Sequence, residues 1–248
     1  MSRHEETGLD DEFAPILPGP GGSDYERYLR TDELLALQKT AEEWAHRDEL
    51  LFQVVHQSSE LWLKLAWNEV ETATAQLGAG DLRGALRLLR RASLCLAFVT
   101  DQLEMLEQMS PWEYTAEIRP VLGHGSGFDL PGFNMLRQAA PALGQAFHEL
   151  RREAGLSLVD LYRRGREFED LYQLAEALTE LDERAIVWRL RHFKVVERVI
   201  GGDVVGTQGT PVELLGALLH KSLYPELWKV RTELTEQAKE EDTWRSKS

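Results

Sequence analysis

Cysteine is nearly absent from this chain, with Cys95 the only one among 248 residues. A single thiol excludes internal disulfides, a Cys-x-x-Cys redox pair, a zinc site of clustered thiolates and a thioether-linked haem. Long apolar runs are missing too, none approaching the roughly 18 residues that a membrane span needs. The opening Met1-Ser2-Arg3-His4-Glu5-Glu6 lacks the apolar centre of a signal peptide, so a soluble, cytoplasmic protein is expected. Basic residues are few, 28 Lys and Arg against 42 Asp and Glu, a formal charge of -14. That balance disfavours general nucleic-acid or anionic-membrane binding. No internal repeat points to a solenoid.

What remains is an amphipathic helical chain long enough to bury a substantial core as one domain. Residues 1–23 are acidic and then rich in Pro and Gly, and read as a flexible arm. A single domain is expected over 24–240, followed by a charged tail at 241–248. Tyr25 and Tyr28 stand just after the arm, as its anchor or as a surface for something else. A helix is expected from Thr31 to about Ala45, then one from His46 through about Leu77, stopped by Gly78-Ala79-Gly80. Another should run from Asp81 to Met109 with Leu82, Leu86, Leu89, Ser93, Leu96, Val99, Leu103 and Leu106 buried. Two such helices joined by a short turn imply an antiparallel pair. Later helices are expected over 133–152 and 156–162 and from about 166 onward.

Polar residues stand where a core should be in two places. In the 46–64 stretch, apolar residues recur at Leu51, Val54, Val55, Leu61, Trp62 and Leu65, while Phe52, His56 and Glu60 share an adjoining stripe. In the 180–200 stretch His192 falls in line with Ala185, Trp188, Val195 and Val199, so it faces inward. A histidine in either setting can be a satisfied core residue or a ligand. Arg189, Arg191, Lys194 and Arg198 surround the second with positive charge, to meet an anion or water. Between them, Gly123, Gly125 and Gly127 punctuate a loop, but no strand precedes them and no Gly-Lys-Ser follows, so nucleotide binding is disfavoured. A di-iron carboxylate bundle needs two Glu-x-x-His motifs, and only Glu43-Trp44-Ala45-His46 is present.

Several of these segments together resemble the tryptophan 2,3-dioxygenase family, over about residues 25–235. The string His56-Gln57-Ser58-Ser59-Glu60-Leu61-Trp62-Leu63-Lys64 is similar to its signature helix, and Trp188 to Gly201 to its Trp-x-x-x-His…Val-x-Arg-x-Ile-Gly segment. The resemblance implies an all-α helical bundle whose long antiparallel helices enclose a haem pocket. It implies non-covalent haem b with His192 as axial ligand, Trp188, Arg198, Ser126 and Gly127 around the cofactor, and His56 over the distal face. It also implies that Phe52 packs on the indole, that Tyr114, Arg119 and Thr207 hold the amino acid's polar end, and that Tyr25 and Tyr28 cover a neighbouring subunit's pocket in a homotetramer. Arginine suits carboxylate binding because its planar donors pair bidentately.

The substrates implied are L-tryptophan, or an analogue, and O2, with N-formylkynurenine as product. Three departures fall in the substrate loops, one being that Ser126-Gly127-Phe128 is followed by Asp129-Leu130-Pro131 where the family has a Gln-Ser pair. Tyr114 and Arg119 are separated by four residues where the family has three, and Thr207 is followed by Gln208-Gly209-Thr210-Pro211 instead of Gly-Gly-Ser-Ser. An added residue turns a helical side chain by about 100° unless a bulge absorbs it. Monooxygenation of tryptophan or of a substituted tryptophan therefore stays open, as does a non-catalytic haem sensor or helical interaction protein.

Overall fold

The structure is a computed structural model and describes residues 14–125, 130–206, 209, 211–212, 216 and 221–245. All its regular elements are helices: α1 Asp24–Leu29, α2 Thr31–Leu35, α3 Asp48–Gly78, α4 Leu82–Asp101, α5 Leu103–Leu106, α6 Pro111–Glu113, a π-helical turn Tyr114–Ile118, α7 Arg119–Val121, α8 Pro131–Glu153, α9 Leu158–Arg163, α10 Glu169–Ile200 and α11 Pro225–Arg245. Apart from one isolated bridge between Val205 and Pro211, the described residues contain no β-structure. None of their helices is long and apolar enough to cross a membrane.

Four long helices close a quadrilateral. α3 packs on α4 and α8, α10 packs on α4 and touches α8, and α3 and α10 lie on the diagonal. The α4 stripe is buried as its spacing requires, from Leu86 through Leu89, Ser93, Leu96 and Val99, and continues across a break at Gln102 into Leu103 and Leu106. Gln102 accepts a hydrogen bond from Ser58 Oγ at 2.5 Å and donates to Ser59 Oγ at 2.9 Å, so α3 holds its side chain.

On α3 the buried line is Val55, Ser59, Leu63, Ala66, Val70, Ala73 and Leu77. Val54, Leu61 and Trp62, expected inside, are exposed, and Trp62 meets Phe98 at 5.0 Å on the outer face of α3 and α4. Small and polar members of the true stripe, above all Ser59, hid it from a count of apolar residues.

The helix expected from Thr31 to Ala45 stops at Leu35. Residues 36–47 form a non-helical strap across α3, because side chains of α3 take up its backbone groups. Gln53 accepts the Lys39 N–H at 2.9 Å, Glu49 accepts the Ala45 N–H at 2.6 Å, and Gln57 donates to the Leu37 carbonyl at 3.4 Å. Glu43-Trp44-Ala45-His46 thus lies in turns, without the helical spacing of a di-iron motif. His46 accepts the Asp48 N–H on Nδ1 at 3.2 Å and presents Nε2 to Glu113 at 3.6 Å, clipping α3 to α6.

Glu49 is the buried anchor of the strap and pairs with Lys39 at 2.8 Å. Burial pushes its carboxyl up, but Lys39 and the N–H groups of Ala45 and His46 together outweigh this and hold it below the ordinary range. A depressed carboxylate contributes stability that is complete above its unfolded value, about 4.3, and is lost as pH falls through the folded one. Glu49→Gln should therefore cost about 1–2 kcal/mol at pH 7. In urea unfolding the gap to the parent should narrow at acid pH, and a pH-independent gap contradicts this account.

The described part of the arm, residues 14–23, is tied back without the two tyrosines. Arg27 donates to the Leu17 carbonyl at 2.6 Å and the Gly21 carbonyl at 2.7 Å, and Asp24 accepts the Leu17 N–H at 2.7 Å. Tyr25 and Tyr28 are 70% and 78% exposed, so they do not anchor it. At the other end α11 continues through Arg245, and Arg163 reaches Glu241 at 2.8 Å.

Candidate active site

His56 and His192 come from the two diagonal helices and meet electrostatically, the charge of one opposing that of the other. His56 is partly buried one turn after Phe52. Its Nδ1 lies 2.7 Å from the Phe52 carbonyl. A carbonyl can only accept, so Nδ1 carries the proton and Nε2 is left with a lone pair. Burial pulls the ring's pKa down against the raising effect of that hydrogen bond, so the neutral form persists at pH 7. The Phe52 ring lies 4.0 Å from His56 and 6.0 Å from Tyr114. Burial raises the pKa of the Tyr114 hydroxyl, offset in part by the nearby Arg119 cation.

Tyr114 and Arg119 bracket the π-helical turn, whose wider winding takes in one extra residue. The wide turn thus falls on the stretch that separates Tyr114 from Arg119. Arg119 donates to the Val205 carbonyl at 2.7 Å. Val205 pairs with Pro211, and the Val212 N–H reaches the Val204 carbonyl at 3.2 Å, so Arg119 grips the base of the loop that carries Thr207. Thr207, Ser126 and Gly127 lie outside the described residues.

On the facing side, His192 is stacked by Trp188 almost in parallel, centroids 5.0 Å apart at 10°. Trp188 is stacked in turn by Phe133 of α8 at 4.5 Å. Burial first, and the His56 charge second, hold the His192 pKa down to about 4. Neither of its ring nitrogens has a hydrogen-bond partner among the described residues, and the buried Trp188 Nε1–H has none either. A neutral imidazole with its lone pair unclaimed, held in apolar surroundings, suits a haem iron.

Arg198 stands apart from this cluster. Its side chain is 63% exposed and lies 3.5 Å from Glu107, which also binds Arg191 at 2.8 Å. Tyr25 and Tyr28 are likewise outside it, on the exposed surface of α1. Sequence patterning missed Phe133 and Glu107, whose partners are set by packing. Phe133 follows Pro131 at a helix start, a weak cue at best.

A depression of about 350 Å³ opens beside His56, lined by Leu34, Leu37, Gln57, Glu60, Leu61, Leu130 and Pro131. It brings the strap and the start of α8 beside His56.

The family model described as Tryptophan 2,3-dioxygenase matches residues 17–145 and 142–234. The chain belongs to the tryptophan 2,3-dioxygenase family. It is 34% identical to a protein of Caulobacter vibrioides named tryptophan 2,3-dioxygenase, over 85% of this chain and 98% of that one. Proteins of the same name from Polaromonas sp. and Bacillus thuringiensis subsp. konkukian are 33% and 30% identical, over 85% of this chain and 87% and 92% of theirs. Haem dependence is a property of this family.

Proposed function

We propose that the chain catalyses haem-dependent 2,3-dioxygenation of L-tryptophan to N-formylkynurenine. The observation that carries this reading is His56: a neutral imidazole, oriented by its own helix, offering an acceptor beside Phe52 and across from His192. The residues present fit non-covalent haem b, whose iron His192 would hold, with Trp188 beside that ring. The single cysteine leaves no Cys-x-x-Cys-His for covalent attachment. When bound, the haem supplies the activation of O2, and the redox chemistry is the cofactor's.

The protein's part is to hold the amino acid in one pose and exclude water. His56 Nε2 accepts the indole N–H, and Phe52 packs on the ring. The Arg119 fork takes the carboxylate bidentately, with the Tyr114 hydroxyl and Thr207 completing the polar end. The Arg119 bond to the Val205 carbonyl supports this, since it sets the guanidinium against backbone two residues before Thr207 in sequence. The pocket is completed in a homotetramer by Tyr25 and Tyr28 of a neighbouring copy. Their exposure, with that of Ile16, Leu35 and Leu37, gives an N-terminal segment an apolar surface suited to such a contact.

A second reading, single-oxygen insertion or a substituted tryptophan, draws on Gln208 and Thr210-Pro211 in the substrate loop. Single turnover of the ferrous protein with labelled O2 separates the two. The dioxygenase reading expects a Soret band that shifts on adding tryptophan and two labelled atoms in the product. One labelled atom, or no response to tryptophan, overturns it.

His56→Ala removes one acceptor for a neutral donor, worth about 1–3 kcal/mol in a dry pocket. A fall in kcat/KM of roughly 5- to 150-fold is expected. Turnover of 1-methyltryptophan, which has no N–H to donate, should fall less than turnover of tryptophan. Equal losses contradict the role given to His56.

A further inference from the structure

We infer that Glu60 is a positioning residue: from the helix that carries His56, it fixes the first turn of α8 and thereby the ring column that backs His192. α8 opens without a cap of its own. Its N-cap, Leu130, has no side-chain acceptor, and Pro131 has no N–H. The first backbone donor is Gly132, and Glu60 Oε2 accepts it at 2.8 Å from a residue far away in sequence.

The contact is tight. A Cβ on Gly132 would lie 2.6 Å from Leu63 Cβ and 2.9 Å from Glu60 Oε2, so only glycine lets α8 settle on α3 here. The very next residue, Phe133, stacks on Trp188, which stacks on His192. Loss of the bond at Gly132 frees the turn that sets the Phe133 ring, and the column behind His192 loosens with it.

The carboxyl needs no charge for this task. Its second oxygen, Oε1, is buried without a partner, no cation pairs with it among the described residues, and burial raises its pKa against the lowering effect of the Gly132 bond. Any neutral acceptor of the same reach should serve.

The inference rests on the haem reading above, and the test separates the two. Glu60→Gln keeps an acceptor oxygen, whereas Glu60→Met keeps length and volume without one. Haem loss from each purified holoprotein to excess apomyoglobin is followed at the Soret band, with helix content by circular dichroism. Glu60→Met is expected to release haem about 10-fold faster than the parent with helicity unchanged, the scale of one lost buried hydrogen bond. Glu60→Gln should stay within about twofold of the parent.

Equal retention by Glu60→Met overturns the inference alone. Release by Glu60→Gln as fast as by Glu60→Met overturns the acceptor role. Failure of Glu60→Met to fold makes the cap a requirement of the whole fold and overturns positioning. A parent that binds no haem defeats the haem reading itself, and this inference with it.

Discussion

His192→Ala is expected to leave a folded helical protein that retains essentially no haem, with affinity lowered at least about 100-fold. The fold should survive because His192 makes no hydrogen bond among the described residues, so its removal orphans no partner. What disappears is the donor. At pH 7 the ring is neutral, because burial and the His56 charge hold its pKa near 4, and its lone pair is therefore free for iron without prior loss of a proton. Trp188 fixes the imidazole plane by stacking at 10°, and Phe133 backs Trp188, so the ring meets a planar ligand in one orientation. His56→Ala is the control. Its Nδ1 already serves the Phe52 carbonyl, the proposed role of its Nε2 lies with the substrate, and haem content should stay near the parent's. Pyridine haemochrome assays of the two variants, with exogenous imidazole added to His192→Ala, decide the point. A His192→Ala protein with full haem content, or a His56→Ala protein without haem, reverses the axial assignment.

The four long helices were legible because their buried faces are nearly all apolar and regularly spaced. α4 shows this best, with Leu86, Leu89, Leu96 and Val99 at helical intervals and Arg83, Arg87 and Arg90 opposite. The inward direction of His192 was legible for the same reason, since Trp188, Val195 and Val199 flank it and are buried. α3 was only half readable. Its core line passes through Ser59, satisfied by the Val55 carbonyl at 2.7 Å, while Leu61 and Trp62 lie outside it. The strap at 36–47 was misread because its backbone is held by Gln53, Gln57 and Glu49, acceptors and donors that become neighbours only once the chain has folded. The π-helical turn had a sequence signal in the spacing of Tyr114 and Arg119, yet spacing alone does not say whether a bulge or a rotated side chain results. Phe133 and Glu60 gain their roles from contacts between α8, α10 and α3, and no local pattern marks such contacts.

Asp182→Ala should be the most destabilising single change in the C-terminal half. The carboxylate is completely buried on α10. It accepts the backbone N–H of Leu223 at 2.8 Å, that of Tyr224 at 3.0 Å and Trp228 Nε1–H at 2.9 Å. These donors lie just before and within the first turn of α11, so Asp182 ties that end of α11 to α10. An unpaired buried charge is costly, whereas here three donors share one, with the Arg189 cation close enough to feel it. Truncation leaves the buried Tyr224 N–H and the part-buried donors of Leu223 and Trp228 without this partner, at about 1–3 kcal/mol for the first and less for the others, so a loss of about 3–5 kcal/mol is expected. That is a large share of the 5–15 kcal/mol typical of a folded chain. Asp182→Asn keeps one acceptor oxygen and should lose about half as much. Tyr224→Phe gives the contrast. The Tyr224 ring is clamped against Gly144, where a Cβ would come within 3.2 Å, but its buried hydroxyl has no partner. Removing that hydroxyl should change stability by less than about 1 kcal/mol. Urea unfolding followed by far-ultraviolet circular dichroism gives all three values. A loss below about 1 kcal/mol for Asp182→Ala, or a larger loss for Tyr224→Phe than for Asp182→Asn, defeats the assignment of Asp182 as the clasp between α10 and α11.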